Sequence, residues 1–122
     1  MATRERQLGD RAEDFVFSLL IKNGYTILSR NYLVFGFGEL DIVCCKNRTV
    51  YVFEVKCRSK KNVDDFGMTS IFSRSKIHKV RKTAEIFCSR RGLSGFSILL
   101  YGALVIHNQK EELLTVSFLP LE

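Results

Sequence analysis

Residues 38–58 read Gly38-Glu39-Leu40-Asp41-Ile42-Val43-Cys44-Cys45-Lys46-Asn47-Arg48-Thr49-Val50-Tyr51-Val52-Phe53-Glu54-Val55-Lys56-Cys57-Arg58. Two runs of alternating apolar residues flank the polar break Lys46–Thr49, the pattern of two strands joined as a hairpin. Asn47 tolerates the positive φ of a tight turn. With Asn47-Arg48 as the loop, Lys46 faces Thr49, Asp41 faces Glu54 and Glu39 faces Lys56. A four-residue loop with the same centre keeps this pairing. Side chains on one strand face recur at every second residue. Glu39, Asp41, Glu54 and Lys56 are therefore expected on one face, with Val43, Cys45, Val50 and Val52 nearer the turn. Leu40, Ile42, Cys44, Tyr51, Phe53, Val55 and Cys57 are expected on the other.

Two carboxylates facing each other across a strand pair, roughly 5 Å apart at an effective dielectric of about 20, repel by ~3 kcal/mol. Something positive should sit between them. Lys56 supplies one charge, and a divalent cation, which prefers oxygen ligands, would supply more. A salt-bridged, solvated strand face fits the spacing as well. Placement favours the cation: Glu54 and Lys56 interrupt the most apolar run nearby, Val50 to Cys57, where an unpaired charge is costly.

At these residues the sequence resembles a known family. Asp41 and Glu54-Val55-Lys56 look like the PD-(D/E)xK nuclease core of the restriction-endonuclease-like fold. The longer strings from Gly38 to Val43 and from Val52 to Arg58 are similar to the YraN-type family, related to archaeal Holliday-junction resolvases. Gly9-x-x-Ala12-Glu13 resembles that family's Gly-x-x-Gly-Glu, whose Glu is held to complete the acidic cluster; Ala12 departs from its second Gly. Read from the residues alone, Glu13 is rather an ordinary exposed helix acid at the edge of an apolar stripe, and the resemblance changes that reading. Arg30-Asn31 resembles the family's Arg-Asn, with no chemical role assigned. Lys76 matches a family Lys at the start of the second helix. The family's Arg-Phe-Asp-like string in the fourth strand is replaced here by Leu99-Leu100-Tyr101-Gly102-Ala103.

The chain has 122 residues, 46% of them apolar and 26% charged, enough for one domain with a real core. No apolar run follows Met1–Arg6, so no signal peptide is expected, and no run reaches the length of a membrane span. The four cysteines, Cys44, Cys45, Cys57 and Cys88, have no Cys-x-x-Cys spacing and read as small buried hydrophobes in a reducing cytoplasm. The net charge of +6 is uneven: residues 56–91 hold eleven Lys/Arg against Asp64, Asp65 and Glu85. A basic segment beside an acidic cluster fits a protein that attracts a phosphate backbone yet holds a cation. Basic helix faces are also often only solvated.

Arg4–Asn23 reads as a helix with the stripe Leu8, Ala12, Phe15, Val16, Leu19 and Leu20, ended by Gly24. Tyr25–Phe35 reads as a strand and Gly36-Phe37-Gly38 as a turn. Ser59–Ile71 reads as a polar loop with an Asp64-Asp65-Phe66-Gly67 turn. Ser73–Arg91 reads as a second helix with Ser73 as N-cap and Ile77, Val80, Ala84, Phe87 and Cys88 as its stripe. Phe96–Ile106 and Leu113–Leu119 read as a closing hairpin. The expected fold is α/β: one restriction-endonuclease-like domain over residues 1–122, a central mixed sheet flanked by two main helices.

The function that follows is metal-dependent hydrolysis of DNA phosphodiesters, in branched or repair intermediates among other substrates. Asp41, Glu54, the Val55 carbonyl and Glu13 would hold Mg²⁺ or Mn²⁺, and Lys56 would orient or deprotonate the attacking water. Arg58, Lys60, Lys61, Arg74, Lys76, Lys79 and Lys82 would track nucleic acid, DNA ahead of RNA. No membrane partner is expected. A homodimer would let two sites cut two strands, though nothing in the chain dictates symmetry. The alternatives are a catalytically silent nucleic-acid-binding module of the same fold, or a structural adaptor.

Overall fold

The first helix is set by its ends. Thr3 caps helix α1 (Arg4–Lys22), its hydroxyl accepting the Arg6 N–H at 3.1 Å. At the other end the Gly24 N–H reaches the Ile21 carbonyl and the Tyr25 N–H reaches the Leu20 carbonyl, with Gly24 at φ +88°. This double closure needs a left-handed residue, which is why the helix stops at a glycine. A computed structural model describes residues 3–66 and 71–122 of the chain.

Strands β1 (Thr26–Val34), β2 (Gly38–Lys46) and β3 (Thr49–Ser59) follow as antiparallel neighbours. The β2–β3 loop is Asn47-Arg48, both at positive φ (52° and 57°), the twist a two-residue hairpin turn requires. Its expected register holds from Lys46–Thr49 to Ile42–Phe53 and stops there. Helices α2 (Lys60–Phe66) and α3 (Arg74–Arg90) then carry the chain to β4 (Ser97–His107), which runs parallel to β3 along its whole length. A parallel partner demands such a crossover. Strand β5 (Leu113–Pro120) closes the five-stranded sheet in the order β1-β2-β3-β4-β5.

The two expected helices cover opposite faces of this mixed sheet. Ala12, Val16 and Leu20 of α1 pack with Ile42, Cys44, Phe53, Ala103 and Val105. Val80, Ala84, Phe87 and Cys88 of α3 pack with Leu40, Val43, Val50, Val52 and Leu100. The α1 stripe is narrower than its periodicity suggests, since Phe15 is exposed. Cys44 and Cys88 are buried and all four thiols are free, as small core hydrophobes would be. No helix among the described residues is long and apolar enough to cross a membrane.

Two expectations are corrected. Residues 60–66 form α2 rather than loop, because the Ser59 hydroxyl accepts the Asn62 N–H at 3.1 Å and caps a helix start that polar composition conceals. Gly67 of the expected turn lies outside the described residues. Leu40 packs under α3 with Val43, not on the α1 face with Ile42 and Cys44. Strand alternation therefore breaks at residue 41.

Gly102, which stands beside Glu54 in the β3–β4 ladder, is overlain by the Phe72 ring; a Cβ there would lie 2.5 Å from the nearest ring atom. Gly102→Ala should therefore displace Phe72 and cost about 1–3 kcal/mol of stability, measured by denaturant unfolding. An unchanged midpoint would show that the ring has room to move.

Candidate active site

The break in alternation builds the site. Between the β1–β2 pairs Arg30–Ile42 and Tyr32–Leu40, side chains change face in both strands. Arg30 points to α1, where it meets Glu13 and Asp14, while Tyr32 points to α3, its ring edge-on to Phe87 at 4.9 Å. Asn31 between them sits at φ 52°, a conformation Asn tolerates better than most residues. Asp41 lies across from this kink, where the β2–β3 ladder ends.

At the open end of the ladder, carboxylates take the place of backbone carbonyls. Asp41 Oδ2 accepts the Val55 N–H at 2.8 Å, and Glu54 Oε2 accepts the Asp41 N–H at 3.1 Å. The two acids meet as the sequence suggested, but by bonding each other's strand. Each keeps one oxygen, Oδ1 and Oε1, with no hydrogen-bond donor among the described residues. Glu54 is 4% exposed. Its burial, and then the Asp41 charge, push its pKa up to about 8. Burial also raises the Asp41 pKa, against the Val55 N–H and Lys56, which lower it.

Lys56 follows on β3, half-buried. Burial, and then the adjacent Lys76 of α3, bring its pKa down to about 8. Lys76 is close enough to act on Asp41, Glu54 and Lys56 together. Two acids and two ammonium groups from β2, β3 and α3 thus share one site. A groove of about 520 Å³ between the start of α1 and the end of β3 reaches Val55 and Lys56.

Glu13 is placed differently. Its Oε1 receives the Arg30 guanidinium at 2.9 and 3.2 Å and the Asn31 amide at 3.1 Å. Among the described residues no three His, Cys, Asp or Glu side chains are gathered as a ready-made metal cluster. The Arg30-Asn31 pair, without a role in the sequence, is what holds Glu13 and kinks β1 beside Asp41. An Asn inside a strand pattern was the available signal. Gly102 was another, since a glycine in a strand often marks a close approach.

The expected nucleic-acid residues fall on three elements, β3, α2 and α3. Lys60 and Lys61 are exposed on α2, and Arg74, Lys76, Lys79 and Lys82 are exposed on α3. Arg58 is half-buried and donates to the Cys57 carbonyl at 2.9 Å. Arg81, on the same helix, is tied to Glu122 and the Ile98 carbonyl. A second cavity, about 470 Å³ among Tyr25, Tyr51, Phe53, Tyr101 and Phe118, takes none of its lining from the Asp41–Glu54 pair.

The sequence model of Uncharacterised protein family UPF0102 matches residues 12–105. A UPF0102 protein of Dictyoglomus turgidum is 34% identical over 94% of this chain and 95% of its own length. One from Fusobacterium nucleatum is 36% identical over 76% of each. Among solved structures, Hjc of Archaeoglobus fulgidus, a Holliday junction resolvase from an archaeal hyperthermophile, covers 92% of this chain with 71% of its own. Its TM-score is 0.50 at 21% identity, a likeness of fold.

Proposed function

The chain belongs to Uncharacterised protein family UPF0102, the YraN-type family its motifs resemble, and we propose that it is a metal-dependent nuclease acting on DNA. The observation that carries this reading is the pair of buried Glu54 and half-buried Asp41, each with one oxygen that no donor among the described residues reaches, and Lys56 beside them. The donor set fits a hard divalent cation: Asp41, Glu54 and the Val55 carbonyl offer oxygen ligands in a site whose acids repel each other. Bound Mg²⁺ or Mn²⁺ would polarise a phosphate and acidify a water.

The chain's own groups supply the rest. Lys56, with its pKa brought near 8, can take a proton from an attacking water at mildly alkaline pH and return to an ammonium. Lys76, which acts on both acids and on Lys56, would meet the charge that develops on the phosphate oxygens. Lys60, Lys61, Arg74, Lys79 and Lys82 hold the backbone on either side. Glu13 acts through Arg30 and Asn31 as a positioning residue for the kink beside Asp41.

Calorimetry with Mg²⁺ or Mn²⁺ tests the site. Near pH 7 binding should release about one proton, because Glu54 must ionise to ligate. Lys56→Ala should keep that metal binding and lose about 100-fold or more in cleavage rate, as expected for removing a proton-transfer group. Absence of metal binding, or full activity in Lys56→Ala, would end this assignment. Retention of nucleic acid with no cleavage in either metal would instead favour the silent binding module.

A further inference from the structure

The β1–β2 turn carries side chains the fold does not use. Phe35 is 94% exposed, Leu33 63% and Phe37 53%. The turn is nevertheless ordered by its own bonds: the Phe37 N–H donates to the Val34 carbonyl at 3.0 Å, and Val34 pairs with Gly38. Gly36, at φ +83°, permits the tight reversal. Three consecutive turn residues, two of them aromatic, are thus held out in water on a hairpin end.

Position gives this tip its meaning. Gly38 opens the strand that reaches Asp41 three residues later, roughly 10 Å along the chain. Gly38 also lies against the middle of α3, where a Cβ would come within 3.3 Å of Thr83 Oγ1. Thr83 is one turn beyond Lys79 and follows Lys82, both exposed. Lys76 lies one turn earlier on the same helix, at the site itself. Gly38 thus joins the aromatic end both to the strand that carries Asp41 and to the helix that carries Lys76, Lys79 and Lys82. Exposed rings on a hairpin end that packs against a lysine-bearing helix suit a ligand that is aromatic and anionic at once. An intact duplex keeps its base faces stacked and hidden; an unpaired base offers one.

We propose that Phe35 and Phe37 form a stacking platform for unpaired bases next to the phosphate cut at Asp41 and Glu54. This rests on the nuclease reading and narrows its substrate to nucleic acid with a single-stranded stretch at the cleavage point. Base–aromatic stacking tolerates any sequence, so the platform selects strand state and not base identity.

The test is binding of the full chain in EDTA, so that nothing is cut, at low and raised salt. Fluorescence anisotropy would compare oligothymidine, a gapped duplex and an intact duplex of equal length. The chain should prefer the first two. Phe35→Ala/Phe37→Ala should lose about tenfold or more of its affinity for them while holding the intact duplex as before. Both side chains are exposed, so the variant should melt like the parent; Phe35→Trp, which keeps an aromatic face, should bind as the parent does. Equal losses on all three substrates, or none, would overturn the platform and leave the nuclease reading standing. No binding to any of them would overturn the platform, whereas absence of cleavage in either metal is what overturns the nuclease reading. A parent that dimerises and a variant that does not, by light scattering, would assign the rings to a contact between copies and overturn the platform.

Discussion

Asp41→Asn should lower phosphodiester cleavage by about a thousandfold or more while leaving the fold intact. The reason lies in the two jobs of this side chain. One oxygen accepts the Val55 N–H, and an asparagine carbonyl oxygen can do the same, so the open end of the hairpin keeps its closure. The other oxygen carries the charge that a divalent cation needs, and that charge is lost. Removing one ligand of a two-carboxylate site affects the ground state and the transition state together, so metal affinity and rate should fall in parallel. Single-turnover rates and metal calorimetry on the same preparations would check this. Unaltered metal affinity would remove Asp41 from the ligand set.

Glu54→Gln should make the metal-free protein more stable at alkaline pH. The folded-state pKa of Glu54 is raised to about 8 from an ordinary 4.5, so the folded protein holds a proton that the unfolded chain has released. Between these values the wild type loses stability as pH rises. Below pH 4.5 both states are protonated and the loss vanishes; above pH 8 it is complete. Glutamine keeps an oxygen for the Asp41 N–H but never ionises. The variant should therefore gain on the wild type steadily from pH 4.5 to 8, by on the order of 4 kcal/mol at the top. Asp41, raised in the same direction, steepens the slope in both proteins. Lys56 is protonated in folded and unfolded chains over most of this window and adds little. Denaturant melts at several pH values, with EDTA, measure the difference. Saturating Mg²⁺ should reverse the order, since only the wild type gains a ligand. Equal stability at pH 8 would mean that Glu54 is solvated after all.

The sequence made the hairpin legible because its signals are local. Alternation located β2 and β3, Asn47 located the turn, and the acids interrupting an apolar run located the chemistry. The helices were legible for the same reason. What escaped depends on distant partners. Leu40 faces α3 because β1 and β2 change face around Asn31 and Asp41, and that kink is held by Glu13 and Arg30, separated by seventeen residues. A pattern of period two cannot announce its own interruption. Helix α2 escaped because a single serine cap outweighs a polar composition. The burial of Glu54 beside Gly102 and Phe72 joins three elements, and a strand glycine hints at such closeness without naming the partner. Glu13 was matched to a family motif by position, yet its carboxylate serves Arg30 and Asn31 here.

The central claim is tested most directly by incubating the full chain with a labelled panel of linear, nicked, flapped, gapped and four-way DNA, together with RNA, in Mg²⁺, Mn²⁺ or EDTA. The result expected of the proposed nuclease is cutting that requires metal and is strongest where a single-stranded stretch meets a duplex. Retention of nucleic acid with no cleavage of any substrate in either metal would contradict it.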